Sequence, residues 1–471
     1  MKRIVFPAVI LLTAALLSAG CSNKDNAAQD PADTQESILS EISETTKEES
    51  SSVSSHEAPA ESSEESPQES SDAASSKDED PSASSSESPE PSHDESSGSS
   101  EKPESSAEES SEISEISSEP FDPNEDITTV YKIENKYFVN KLNEQEKKSF
   151  AVLYHAAENF ESGATFRHSV AEDDFDKLMW LLNYDCPELI HLKGDYAPHY
   201  DYSGNVNGVK FYYSMTKNEY SGCMEELNGF FSELKQQTAG MSMYDAEKYV
   251  YDYMFSSIVY TETTEYSGSA YGSLIDRKAR CEGISKGFAW CMNVLGFECM
   301  TISGYPNWDS GSLYATHSWN IIHLEDGYYN VDLTTDNLRE DEDQTVMPLY
   351  SFLNQCDEIM SRTHTPLGIY ADLGIPACVS EKMNYHVMNG LVITPDEDNK
   401  TRLDELLDRF YSPEGEISIP IRFISSESYE DFLDNWESCY SDYLEEKGFV
   451  YRYASLYSND VGKTVVLYIE E

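Results

Sequence analysis

The sequence predicts an α+β protein, a core of mixed helices and strands flanked by two smaller folded regions and preceded by a long unfolded tether. Three observations lead there. Residues 22–120 hold 28 acidic residues against 4 lysines and no aromatic residue. From Phe121 onward, windows with apolar residues at helical spacing alternate with short strand-like runs. Within that part, Ser318 to Leu324 and Tyr328 to Leu333, joined at Glu325-Asp326-Gly327, read as an antiparallel hairpin.

In chain order, Lys2 and Arg3 precede an apolar run from Ile4 to Leu17. A comfortable membrane span takes roughly 20 residues, so the run and its basic flank fit an export signal over residues 1–20. The next stretch, Leu17-Ser-Ala-Gly-Cys21, resembles a bacterial lipobox. That resemblance implies a diacylated Cys21 as the first mature residue, with the protein held at the outer face of the cytoplasmic membrane.

Residues 21–120 have too little apolar surface to offset chain entropy, and their like charges keep them expanded. They read as a tether. Fully drawn out it reaches at most about 330 Å, enough to display a domain in or beyond a thick cell wall. Ligand binding or O-glycosylation is the alternative use for its serines.

The remaining chain suffices for two or three domains, divided here into a helix-rich region (121–240), a core (241–375) and a C-terminal α+β unit (376–471). Beyond the tether and signal, 60 acidic residues face 26 basic ones. This balance argues against nucleic acid and against direct adhesion to anionic lipid, and makes basic peptides or amines the compatible partners.

In the first region, helical spacing covers Leu142 to Asn159, Phe175 to Leu182 and Cys223 to Lys235, and Asp245 to Tyr260 leads into the core. Asn205 to Tyr213 reads as a strand or hairpin. Tyr196, Tyr200, Tyr202, Tyr212 and Tyr213 fit a half-buried strand surface better than a sugar- or peptide-stacking face.

In the core, Ile284, Phe288, Cys291, Met292 and Leu295 recur at helical spacing, and Gly296 supplies a stop. Cys281 is then the first residue of a helix, where unpaired amides and the helix dipole favour a thiolate. Phe297 to Ser303 reads as a strand, followed by a polar loop from Gly304 to Thr316 and then His317. Antiparallel partners keep a constant index sum and faces alternate with period two, so an even loop puts residues 317 and 332 on one face. His317 and Asp332 are expected to meet there. The carboxylate would fix the imidazole tautomer while the other ring nitrogen faces the thiol.

These residues stand in Cys281-Glu-Gly-Ile, Thr316-His-Ser-Trp-Asn320 and Val331-Asp-Leu-Thr-Thr335, which resemble the nucleophile, base and orienter segments of the transglutaminase-like superfamily, permuted relatives of papain, especially its bacterial secreted lipoproteins. The likeness extends to Ser269-Ala-Tyr-Gly-Ser-Leu274 upstream and to Tyr350-Ser-Phe-Leu353, Asp357, Met360 and His364 downstream. Ile284 stands where the family usually has Tyr, Thr335 where it usually has Trp, and Cys186, in Asp185-Cys-Pro-Glu188, where relatives often carry His. The resemblance implies Cys281, His317 and Asp332 as a catalytic triad. Tyr271 is taken as an oxyanion donor and Trp319 as a wall of the cleft. His323 is expected to face away from the triad, and His364 and His386 to be structural.

Apart from Cys21 and Cys281, seven cysteines remain without regular spacing, so no disulfide framework is indicated. No paired Cys or His ligands stand at zinc spacing, no calcium loop is present and no phosphate-binding loop, so neither metal nor cofactor is expected. After Thr365 the order reads βαβαββ: strand Tyr385 to Ile393, helix Thr401 to Tyr411, strand Ile417 to Ile424, helix Tyr429 to Leu444, then strands Phe449 to Leu456 and Lys463 to Ile469. The expected function is a surface-anchored thiol acyltransferase or amidohydrolase acting on protein or peptide amides, peptidoglycan-linked peptides among them. The alternative is a tethered binding module that keeps the fold with little activity.

Overall fold

The computed structural model describes residues 136–307, 316–336, 346–396, 398–410, 417–447 and 453–470. The expected signal, Cys21, the tether and residues 308–315 of the polar loop lie outside them. Helix α1 (Tyr137–Lys141) leads into α2 (Glu144–Glu158), which starts at Asn143 because its side chain accepts from the amides of Gln145 and Glu146 while Glu146 reaches back. Then come β1 (Gly163–Val170), α3 (Glu172–Tyr184), β2 (Leu192–Tyr200), β3 (Val206–Tyr213) and α4 (Lys217–Gln237). The strands form an antiparallel sheet in the order β1-β3-β2.

The region is helix-rich as expected, and to the strand expected at Asn205 to Tyr213 the structure adds β1 and β2. β2 has no buried residue, carries Gly194 and Pro198, and is broken by irregular register, so it lacks the strict alternation that marks a strand. β1 alternates for only its first half before turning polar. Tyr200, Tyr202 and Tyr212 are exposed around the β2–β3 hairpin, whereas Tyr196 packs edge-on against Phe175.

The core runs through α5 (Met243–Ser257), β4 (Val259–Tyr260), a π-helical turn (Gly272–Asp276), β5 (Lys278–Ala279) and α6 (Cys281–Val294). It continues with β6 (Cys299–Pro306), β7 (His317–Leu324), β8 (Gly327–Val331), α7 (Leu333–Asp336), β9 (Leu353–Gln355), α8 (Asp357–Met360), β10 (His364–Pro366) and α9 (Tyr370–Leu373). Its five strands pair antiparallel in the order β10-β6-β7-β8-β9. The hairpin has the expected phase, since Asn320 pairs with Val331 and Leu324 with Gly327 around a two-residue turn.

Both faces of this sheet are buried. Ile322 and Leu324 of β7 join Phe288 and Met292 of α6 in one apolar cluster. Trp319 and Ile321 point the other way, into a cluster with Phe138, Phe175 and Leu178 of the N-terminal region. Period-two alternation therefore distributes one strand between two cores.

The C-terminal elements are α10 (Tyr385–Met388), β11 (Val392–Ile393), α11 (Asn399–Phe410), β12 (Ile417–Phe423), α12 (Ser426–Lys447), β13 (Tyr453–Asn459) and β14 (Thr464–Glu470), with sheet order β11-β12-β14-β13. The βαβαββ order is present, except that the first four residues of the expected first strand form the turn of α10 and only its last two are strand. Asn384 caps that turn by accepting from the His386 amide, and Gly390 at φ +61° ends it, leaving two residues to pair in parallel with β12. Ile419, Ile421, Phe432 and Leu467 belong to the same apolar cluster as α6. The mixed α+β class is as expected, and among the described residues no helix is long and apolar enough to cross a membrane.

Candidate active site

Cys281 is the first residue of α6 because the chain before it is pinned extended. β5 pairs in parallel with β4, Thr261 donates to the Ala279 carbonyl at 3.0 Å, and the Arg280 amide donates to the Ser267 carbonyl at 3.0 Å. Two glycines then let residues 267–274 lie against the helix. A Cβ on Gly283 would stand 2.2 Å from the Ser267 carbonyl oxygen, and one on Gly287 would stand 2.2 Å from Ser273 Oγ. The hydroxyl of Ser273 donates to the Gly283 carbonyl at 2.8 Å.

A charged clasp holds the first turn from the other side. Glu282 is paired with Arg280 at 2.6 Å and Lys286 at 2.7 Å, and Asn183 of α3 donates to it at 3.1 Å. Burial alone would raise its pKa, but the two cations outweigh that and lower it to about 2. Lys286 in turn donates to Asn183 at 3.0 Å and sits over the Tyr184 ring. The N-terminal region thus fixes the start of α6.

His317 opens β7 and Asp332 follows β8. His317 Nε2 lies 2.8 Å from Asp332 Oδ2, so the hairpin parity brings the two together as expected. The ring also hydrogen-bonds the Cys281 side chain, which leaves Nδ1 for the thiol. Burial opposes the imidazolium, but the charge and hydrogen bond of Asp332, with the contact from Cys281, raise the His317 pKa to about 10. The thiol is partly exposed, the imidazole buried behind it and the carboxylate deepest, with a side-chain exposure of 0%. Burial pushes the Asp332 carboxyl up, yet His317 and His364 hold it well below the usual carboxylate range.

His364, expected to be structural, is at the site. From β10 its Nε2 donates to Asp332 Oδ2 at 2.9 Å, and its Nδ1 lies 2.9 Å from Thr363 Oγ1. Thr335, where the family usually has Trp, donates its amide to Asp332 Oδ1 at 3.1 Å and its hydroxyl to Oδ2. No spacing rule links His364 to the hairpin; only the pairing of β10 with β6 brings it in.

Three expectations need correction. The Tyr271 hydroxyl donates to Glu226 of α4 at 2.6 Å, so it is engaged there rather than at the thiol. The tyrosines whose hydroxyls feel the charge of Cys281 are Tyr184 and Tyr260. Trp319 is 2% exposed, with its ring centroid 5.0 Å from that of His364 and 6.3 Å from that of His317, so it backs the imidazoles rather than lining an open cleft. His323 shares the face of His317, since six residues separate them, but lies about 20 Å along the strand, exposed and packed on Tyr328.

His386 is buried, and burial with the charge of Arg422 lowers its pKa to about 3. All eight described cysteines are free thiols. The ligand-type atoms of His317, Asp332 and His364 lie within 4.8 Å of one another, the one such group among the described residues. Both Nε2 atoms direct their N–H at Oδ2, so in this arrangement neither offers a lone pair there, and the group reads as a hydrogen-bond network.

Residues 232–333 match the family model described as Transglutaminase-like superfamily. The fold is transglutaminase-like. The matched segment spans Cys281, His317 and Asp332 and stops short of Thr335 and His364. A solved structure described as "Crystal structure of a TGase" is similar at 11% identity and a TM-score of 0.23, over 50% of this chain and 59% of that one. The alignment therefore covers less than two thirds of that TGase chain. No curated protein matches.

Proposed function

We propose that this protein is a thiol enzyme of the transglutaminase-like type, acting on amide bonds of proteins or peptides through a thioester on Cys281. The observation that carries the reading is a partly exposed thiol at a helix start, bonded to an imidazole whose other nitrogen lies 2.8 Å from a fully buried carboxylate. That is the order of nucleophile, base and orienter.

In the mechanism, the Cys281 sulfur attacks the amide carbonyl carbon after its proton has passed to His317 Nδ1. The carbonyl oxygen becomes an oxyanion, which the amides of the first α6 turn are placed to stabilise. Collapse breaks the C–N bond, His317 returns the proton to the leaving ammonia or amine, and a thioester remains. An amine or a water then attacks the thioester, giving His317 its proton, and the thiolate leaves. Asp332 stays ionised and holds the imidazolium in place.

The export signal, Cys21 and the tether support a surface-anchored enzyme whose substrates are proteins or wall-linked peptides. Incubation with a glutamine-containing protein and a labelled primary amine, beside Cys281→Ala, tests the reading. Cys281-dependent amine incorporation is expected for a transferase, ammonia release alone for a deamidase, and new peptide termini for a peptidase. Identical behaviour of the two proteins across such substrates would transfer the reading to a tethered binding module.

A further inference from the structure

Asp332 is held by more donors than a three-residue relay requires. Its Oδ2 accepts from His317, His364 and the Thr335 hydroxyl, and its Oδ1 from the Thr335 amide. An ionised carboxylate only accepts, so both imidazoles must present Nε2–H to the same oxygen. On the far side of His364, Nδ1 faces the Thr363 hydroxyl, a partner able to donate to a bare ring nitrogen. His364 is then a donor to Asp332 through its Nε2–H, while His317, facing the thiol, carries the mobile proton.

Packing alone does not call for an imidazole at position 364. The ring is enclosed between Trp319 and Phe352, with centroids at 5.0 and 5.5 Å, a setting that a phenyl ring would fill. What an imidazole adds is one N–H on Oδ2. Each donor on a carboxylate oxygen takes up part of its charge and lowers its pull on the next.

We propose that His364 is a positioning residue of the Cys281 relay, sharing Asp332 Oδ2 with His317 and thereby setting how firmly the carboxylate retains the His317 proton. The inference rests on the thiol-enzyme reading above. Removing the His364 donor leaves the carboxylate in place on Thr335 but gives His317 a larger share of its charge. The imidazolium is then retained to higher pH and becomes a poorer acid toward the leaving amine.

The test is the pH profile of Cys281 alkylation by iodoacetamide in the purified full-length protein, read by mass spectrometry alongside thermal melting. His364→Phe removes the donor and fills the space; His364→Gln keeps an N–H where Nε2 stood. The Phe variant should move the alkaline limb, where His317 loses its proton, upward by about half a pH unit or more, roughly a threefold gain in proton affinity. The Gln variant should keep the wild-type limb. An unmoved limb in the Phe variant, or equal shifts in both, overturns the proposal. A wild-type profile without a limb that disappears in His317→Ala overturns the relay itself, a distinct result. If the Phe variant does not fold, ¹⁵N-histidine spectra of the wild type decide: His364 is expected to carry a proton on Nε2, and a bare Nε2 refutes the assignment.

Discussion

Glu247→Gln should remove a pH-dependent loss of stability built into the core. Glu247 lies on α5, fully buried, and its hydrogen-bond partner is Asn354 Nδ2, at 2.7 Å. Asn354 is itself held at φ +61°, a left-handed conformation that Asn tolerates better than most residues. Burial raises the Glu247 pKa to about 8, and the bond from Asn354 pulls back only part of the shift. In an unfolded chain the carboxyl titrates near 4.3. The folded state thus keeps a proton that the unfolded state gives up, so this contribution is complete below about pH 4.3 and is lost as pH rises through about 8. The slope is about 1.4 kcal/mol per pH unit, or about 4 kcal/mol between pH 5 and pH 8. Glutamine has the same shape, keeps a carbonyl for Asn354 and does not titrate. Asp336, raised to about 7 by burial, and His317 titrate in both proteins and cancel in the comparison. Urea unfolding at pH 5, 6.5 and 8 should show the variant gaining on the wild type by about that amount. A stability difference constant within about 1 kcal/mol over this range would refute the argument.

Asp332→Asn should lower Cys281-dependent amine incorporation by about 10³- to 10⁴-fold, since the imidazole loses the charge that sets its tautomer; retention of a tenth of the activity would contradict the relay. Gly283→Ala adds a Cβ 2.2 Å from a backbone oxygen, so an overpacking cost of about 1–3 kcal/mol should outweigh the helix gain of about 1 kcal/mol. Melting temperature and Cys281 alkylation rate should both fall, whereas Gly229→Ala on α4, with nothing within 4 Å of the new atom, should be neutral or stabilising. A chain begun at residue 232 should not yield a cooperative melt, because the face of the core sheet that carries Ile302, Trp319 and Ile321 would lose Phe138, Phe175 and Leu178.

The parts of the site legible in the sequence were those governed by short-range geometry. A helix start at Cys281 follows from apolar spacing, and the meeting of His317 with Asp332 follows from parity across a two-residue turn. What was not legible depends on contacts between distant segments. His364 reaches Asp332 across 32 residues through an edge strand of three residues, too short to announce itself by alternation. Tyr271, taken as an oxyanion donor, instead gives its hydroxyl to Glu226 of α4, 45 residues earlier in the chain, a contact that no local pattern announces. β2 failed to register because none of its residues is buried, and a strand without a dry face has no period-two signal.

The segment that matches the family model begins at residue 232, yet the position of Cys281 depends on residues before it. Asn183 of α3 bonds both Glu282 and Lys286, and Tyr184, next in sequence, lies under the Lys286 ammonium within reach of the Cys281 charge. These contacts are worth more than their number suggests. Glu282 sits one residue from the sulfur and is nearly buried, so breaking the clasp would leave an ionised group without its partners, which costs more than an exposed pair could return. The same helix start is fixed on its other side by backbone contacts that tolerate no Cβ at Gly283. A charged clasp from the N-terminal region and a steric seat within the core therefore meet at one turn, and the thiol is the group that turn carries.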